Sequence, residues 1–332
     1  VQEFQAAVIG AGGFARDIAA HAGKFKHLRL SGAYDTDAAA AASFVASFGG
    51  RVYHSLDEVL ADKSIEGVLV VTPNDVHRPL VEAAARAGKH VFVEKPIANT
   101  VADARAAIKA ASDAGVTLFV GHLARRATPM RMAKKMIESG EFGKLILIEG
   151  HTAHNGGLFL QPAEWRWRRE RCPGGPLIQL AVHTVDTFNY LFGPVKSVSA
   201  KSTRLATPAE IDDVGVISLE YANGALGSIG TAYVVPGSGF TNIYGTEASL
   251  LLDSSHRDFL VRHKDGRVET RSAITSAEPI VEEMDEFALV SRAGARPETG
   301  GEEGLQALAV ILAAVKSAAE GRSVTIEEIL RG

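Results

Sequence analysis

The chain has 332 residues, 46% of them hydrophobic, which is enough for two domains with sizeable cores sharing one cleft. Lysine plus arginine (35) against aspartate plus glutamate (39) leaves a net charge of −4 without a basic tail or patch, which argues against nucleic acid as a partner. A lone Cys172 excludes an intrachain disulfide or a cysteine-based metal cluster, VQEFQAAVIG lacks the marks of a signal peptide, and no apolar run approaches the roughly 18 residues of a membrane span, so a cytoplasmic protein with no membrane contact is expected.

From Phe4 to about Gly121, β-branched runs alternate with Ala-rich stretches, the pattern of a parallel sheet with crossover helices. The predicted strands are FQAAVIG, LRLSGAY, EGVLVVT, HVFVE and VTLFVG. The predicted helices are Phe14–Ala22, Ala38–Phe48, Arg78–Ala87 and Val101–Ala114, three of them followed by Gly23, Gly88 and Gly115 as helix stops. Beyond Gly121 the rhythm changes. A helix around Pro129–Ser139 leads to the strand KLILIEGHTAH, an irregular Trp/Arg-rich stretch, and a helix bounded by Pro176 and Gly193-Pro194. Seven closely spaced strands follow over 195–271 (VKSVSAKST, VGVISLEY, GALGSIGTAYVV, FTNIYGT, ASLLLDS, FLVRHK and RVETRS), separated by turn dipeptides such as Asn223-Gly224 and Asp265-Gly266. That spacing predicts an antiparallel sheet. Helices near Pro279–Arg292 and Glu302–Glu320 close the chain. The boundary is placed at 1–122 and 123–332, with the C-terminal helix a candidate to pack back on the first domain.

The stretch VIGAGGFAR carries Gly10-x-Gly12-x-x-Ala15 directly after a strand and opens a helix. Glycines allow a tight turn and a close backbone approach to a pyrophosphate, which then lies at the positive end of the helix. The pattern alone is weak, but its place at the first strand-to-helix turn, with Asp35 following 25 positions after Gly10, makes dinucleotide binding the expectation. Gly10, Gly12, Gly13, Phe14 and Ala15 are the candidate cofactor contacts of this turn. Asp35 would accept the adenosine ribose hydroxyls, and no Arg or Lys occurs from Ala33 to Ser43 to receive a 2′-phosphate, so NAD is favoured over NADP. The competing reading makes Asp35 a turn cap, a role that Asp37 could fill instead.

Ligands of open parallel sheets bind beyond the carboxyl ends of the strands. The sequence places Thr72, Pro73, Asn74 and His77 there, then Glu94, Lys95 and Pro96, then His122 with Arg125 and Arg126. A lysine leaving a buried strand can stabilise an alkoxide in a partly desolvated cleft, or it can form a surface pair with Glu94; position alone leaves these level. His77 could reach the nicotinamide side of the crevice. His77, His122, His151, His154 and His183 share no short metal-ligand spacing, and no metal is predicted.

In this order and spacing, GAGGFAR, TPNDVH, EKP, PGGPLIQLAVHTVDTFNYLFG and the closing EGLQALAVILAAVKSAAEGRSVTI resemble the glucose-fructose oxidoreductase / inositol dehydrogenase / MocA family over nearly the whole chain. The resemblance implies an α/β architecture: an N-terminal Rossmann fold with a doubly wound parallel sheet, and a C-terminal α+β domain whose large, open, mainly antiparallel sheet supports a homo-oligomer. It also implies NAD(P)-linked oxidation or reduction of a hydroxyl carbon of a sugar, polyol or related small molecule. The family's EKP lysine falls on Lys95 and its catalytic histidine on His183. Its usual aspartate, four residues before the histidine, falls on Gln179.

At about 100° per residue, Gln179, His183, Asp186 and Tyr190 form one polar stripe on a mostly apolar helix. By pattern the stripe faces solvent; by resemblance it faces the substrate. Gln179 cannot ionise, so His183 should be the weaker base, with Lys95 or Asp186 mattering more. Just upstream, WRWRRERC sets Arg166, Arg168, Arg169 and Arg171 beside Trp165 and Trp167, which suits an acidic or phosphorylated sugar or an oligomer contact equally. Gln179, Asp186, Arg168, Trp167 and Arg126 are the candidate substrate ligands. The alternatives are an NAD-retaining enzyme that oxidises, eliminates and re-reduces a glycoside, and a non-catalytic NAD- or sugar-sensing protein.

Overall fold

The structure, a computed structural model, describes residues 3–253, 258–273 and 278–331. The N-terminal alternation forms β1 (Phe4–Ile9), β2 (Leu28–Tyr34), β3 (Arg51–Val52), β4 (Gly67–Val70), β5 (His90–Glu94) and β6 (Leu118–Gly121), in the spatial order β3-β2-β1-β4-β5-β6. Every neighbouring pair is parallel. The order reverses at β1, so the crevice for a ligand opens where β1 and β4 diverge. β4 and β6 are buried along their whole length, which is why they read as unbroken apolar runs rather than alternating ones.

Helices Gly13–Ala20, Ala38–Phe48, His77–Arg86 and Val101–Ala114 cross between the strands. Asp37 starts the second by accepting the Ala39 N–H, and Thr100 starts the fourth by accepting the Asp103 N–H. Gly88 and Gly115 leave their helices with φ of 72° and 66°, as the sequence predicts. Gly23 does not: the first helix stops at Ala20, and Gly23 lies inside a separate 3-10 turn, Ala22–Lys24. The two-residue β3 and the helix Leu56–Ala61 were not anticipated, because neither is long enough to show a hydrophobic period.

The C-terminal sheet comprises β7 (Leu145–Ala153), β8 (Val195–Thr203), β9 (Val214–Tyr221), β10 (Leu226–Ala232), β11 (Ser238–Gly245), β12 (Ala248–Asp253), β13 (Asp258–His263), β14 (Val268–Ser272) and β15 (Val324–Thr325). Its nine strands run in the order β14-β13-β12-β11-β7-β10-β9-β8-β15, and only β7 and β10 are parallel neighbours among these described residues. Ser254, the last residue of the predicted strand ASLLLDS, lies outside the described residues. Phe240, His151, Gly230 and Val216 form one cross-strand row. On that same face Val216, Leu226, Phe240, Leu260 and Val268 are exposed.

The chain divides into two compact units, Val1–Leu123 with Ala277–Leu305, and Ala124–Ser276 with Gln306–Gly332. Helix Pro279–Ala293 therefore belongs with the parallel sheet. Its Phe287 ring meets Phe4, Phe92 and Phe119 edge-on, with centroids 5.4, 6.0 and 5.9 Å away, and Met284 completes the cluster. Each such ring pair is worth about 0.5–1.5 kcal/mol beyond the area it buries. No helix among the described residues is long and apolar enough to cross a membrane.

Candidate active site

In the first unit, the turn after β1 is built around Gly10, whose φ is 95°. A Cβ there would stand 2.6 Å from the Val71 carbonyl oxygen and 2.8 Å from the Thr72 methyl. At Gly12 and Gly13, by contrast, a Cβ meets nothing within 4 Å, and no side chain caps the N-terminus of helix Gly13–Ala20. Open space above uncapped N–H groups fits a dinucleotide pyrophosphate. These two kinds of glycine should separate on mutation. Gly10→Ala is expected to destabilise the fold by at least about 1–2 kcal/mol, since the new side chain is strained at positive φ as well as crowded. Gly12→Ala should leave denaturant stability within about 0.5 kcal/mol while weakening NADH binding about tenfold, roughly the 1.4 kcal/mol of one obstructed contact.

Asp35 ties this turn to the end of β2: its carboxylate accepts the Ala11 N–H at 2.7 Å and the Asp37 N–H at 2.9 Å. Asp37 in turn caps helix Ala38–Phe48, so the turn-cap role and the loop contact coexist. Arg16, which precedes the Ala33–Ser43 stretch, reaches Ser43 Oγ at 3.0 Å. After β4, Thr72 Oγ1 and Asn74 Nδ2 are buried and meet no hydrogen-bonding partner among the described residues. Buried polar groups are seldom left so, and a bound ligand would satisfy them.

His77 departs from expectation. It is fully buried, with Nδ1 2.9 Å from the Pro96 carbonyl and Nε2 3.0 Å from the Thr72 carbonyl, and burial lowers its pKa. With no exposed surface it braces the Thr72 loop against the Lys95–Pro96 turn instead of reaching a cofactor. The Lys95–Pro96 peptide is cis.

Glu94 is not a surface partner of Lys95 either. Its side chain is buried, Oε2 accepts the Lys95 N–H at 3.2 Å, and Oε1 stands 2.6 Å from where a Cβ on Gly121 would be. Burial pushes its pKa up to about 7, with the Lys95 charge and N–H drawing it back down. A carboxyl whose folded pKa is raised stabilises the fold most below its ordinary value of 4.5 and loses that contribution as pH rises through about 7. At about 1.4 kcal/mol per unit the loss is on the order of 3 kcal/mol. Glu94→Gln, which resembles the protonated acid, should therefore gain stability relative to the parent between pH 5 and pH 8 in urea denaturation. An equal difference at both pH values would contradict this.

In the second unit, the helix after Pro176 opens with a π-helical turn, Leu177–Ala181, before the α-helix Val182–Phe192. A wider turn rotates later residues relative to earlier ones, so the stripe expected at 100° per residue breaks up. It is not a solvent face: Gln179 is 5% exposed and Asp186 1% exposed. Asp186, expected among substrate ligands, instead takes the Arg125 guanidinium in a buried bidentate pair at 2.8 and 2.5 Å. Tyr190 stacks under Arg125 at 5.2 Å and bonds Arg131 through its hydroxyl at 3.2 Å. Arg126, another expected ligand, is 1% exposed and so is part of the core. His183 is partly exposed.

The Trp/Arg-rich stretch contains a 3-10 turn, Trp165–Trp167, in which Trp167 is partly buried. Arg168 is exposed and paired with Glu210, and Arg169 bonds the Glu210 carbonyl and Asp212, so the arginines do not act as one cluster. Arg166, part of the predicted arginine run but not among the candidate substrate ligands, donates its Nε to Gln179 Oε1 at 3.2 Å. Separately, Glu141, His263 and Glu269 bring three potential metal ligands together, but Arg271 bonds both carboxylates, at 2.5 and 2.7 Å, and answers their charge.

The sequence profile of an oxidoreductase family with an NAD-binding Rossmann fold matches residues 4–122, and that of the GFO/IDH/MocA C-terminal domain matches residues 130–251. The chain belongs to the GFO/IDH/MocA family of oxidoreductases. It is 31% identical over 291 residues to the 1,5-anhydro-D-fructose reductase of Ensifer adhaerens, covering 84% of this chain and 85% of that protein. It is 27% identical over 321 residues to the 2,7-anhydro-N-acetylneuraminate hydratase of Escherichia coli, covering 83% and 85%. Among solved structures, an oxidoreductase from Desulfitobacterium hafniense matches with a TM-score of 0.94 at 31% identity, covering 99% of both chains. The protein is accordingly an oxidoreductase of the NAD(P)-dependent kind.

Proposed function

We propose that the protein oxidises or reduces a hydroxyl-bearing carbon of a sugar, polyol or sugar acid, with NAD(H) as coenzyme. The observation that carries this is Lys95 at the end of β5, in a first unit whose glycine turn is open and uncapped, within a chain that also keeps His183. When bound, the nicotinamide takes up or returns a hydride. Lys95 holds the substrate oxygen and stabilises its developing negative charge, and His183 accepts the hydroxyl proton during oxidation. Gly10, Gly12, Gly13, Asp35, Thr72 and Asn74 hold the dinucleotide. Asp186, paired with Arg125, supports the helix that carries His183 instead of contacting substrate.

Asp35 favours NAD, while Arg16 is the cation that would meet a 2′-phosphate, so the ratio of the two coenzymes' kcat/KM is the informative number. The apolar open face of the nine-stranded sheet supports a homo-oligomer. The test is calorimetry with NADH and NADPH, followed by a spectrophotometric screen of sugars, polyols and sugar acids. A protein that binds neither coenzyme overturns the proposal. A second reading, redox-assisted cleavage with the coenzyme retained, is favoured by similarity to a hydratase and differs in accumulating no NADH.

A further inference from the structure

Arginines in the Trp/Arg-rich stretch differ in what answers their charge. Arg168 and Arg169 each have a carboxylate within ion-pair distance, Glu210 and Asp212 respectively. Arg166 has none among the described residues. It is partly buried, and its partners are all neutral: the Gln179 amide oxygen at 3.2 Å, the Trp165 ring under its guanidinium at 4.4 Å, and the phenol of Tyr233. Burial pushes the Tyr233 pKa up to about 12, so that group stays a neutral phenol. His154 also lies within the field of Arg166, and its pKa is lowered, by burial first and by that positive charge second.

We infer that Arg166 is the anchor for a carboxylate on the substrate, and that Gln179 is the specificity-determining residue that leaves the anchor's charge available. A guanidinium has five N–H donors in a planar fork, and Gln179 and Tyr233 leave enough of them for a bidentate carboxylate. A partly buried cation with only neutral neighbours is left short of a counter-charge, which an anionic ligand supplies. One uncompensated cation suits a monoanionic carboxylate better than a phosphate ester, which carries close to two charges near pH 7. An aspartate or glutamate at position 179 would pair with Arg166 inside the protein and close the subsite to anions. The glutamine keeps the orienting hydrogen bond without the charge. This rests on the proposed function only in taking the ligand to be a hydroxylated sugar derivative.

The experiment compares matched ligands, namely glucuronate, galacturonate and gluconate against glucose, galactose and glucitol, with glucose 6-phosphate as the phosphate arm. Binding is measured by calorimetry on the whole 332-residue chain at saturating NADH, for the parent, Gln179→Glu and Arg166→Met. The parent should bind at least one acid about tenfold or more tighter than its neutral partner and than the phosphate. Both variants should lose that preference, while their melting temperatures stay close to the parent's. A parent that binds no acid tighter than its neutral partner, or a preference that survives in both variants, overturns the inference; a phosphate bound tightest overturns the carboxylate assignment. Loss of NADH binding would overturn the oxidoreductase reading instead, and the sugar comparison repeated without coenzyme would still decide the anchor.

Discussion

Lys95→Ala is expected to lower kcat by about 10²–10³-fold, the usual result of removing a donor aimed at a developing oxyanion. Lys95 leaves β5 next to a buried carboxyl, with the His77 brace fixing the turn that follows, so its backbone is held by groups that outlast the substitution. The loss should therefore fall on turnover rather than on folding. His183→Ala should lose no more than Lys95→Ala. Position 179 provides an amide bonded to a cationic arginine and no carboxylate, so nothing there favours a protonated His183. Steady-state rates on the best substrate of the screen decide this. A fully active Lys95→Ala protein would remove Lys95 from the mechanism, and a His183 variant far worse than the Lys95 variant would reverse their ranking.

Asp186→Asn is expected to reduce stability by about 3–5 kcal/mol, because it removes the charge of a carboxylate that the buried Arg125 guanidinium pairs with. The pair is bidentate, and its side chains are 6% and 1% exposed, so solvent screening is slight. Tyr190 holds the same guanidinium from its ring side, so Arg125 has little freedom to swing out to water. The double change Arg125→Met with Asp186→Leu removes both charges together and should recover most of the loss. Urea denaturation of the two proteins measures it, and a single-variant loss under about 1 kcal/mol would show that the pair is solvated in solution. Asp186 lies one turn beyond His183, so the single variant should also loosen the helix that presents the histidine.

What the sequence disclosed followed the range over which each signal acts. Parallel strands buried on both faces, such as Gly67–Val70 and Leu118–Gly121, are apolar throughout and stand out from their surroundings. Gly88 and Gly115 were legible because a helix stop is a property of one residue and its neighbours. The π-helical turn at Leu177–Ala181 was not, since a 100° wheel assumes the regularity that it interrupts. The Arg125–Asp186 pair spans 61 positions, and no local pattern distinguishes a partnered aspartate from a ligand-binding one. The arginine run is alike: the counter-charge of Arg168, at Glu210, lies 42 positions later in the chain, and only the fold separates Arg168 from Arg166.

Helix Pro279–Ala293 has a consequence for the order of synthesis. Phe4, Phe92 and Phe119 are all made before the Phe287 ring that packs against them, with the whole nine-stranded-sheet region of sequence from Leu145 to Ser272 translated in between. While the ribosome translates everything between, the nascent first unit carries an uncovered aromatic surface that its own sequence so far cannot bury. That surface is open to chaperones, and to aggregation, until the helix that carries Phe287 emerges.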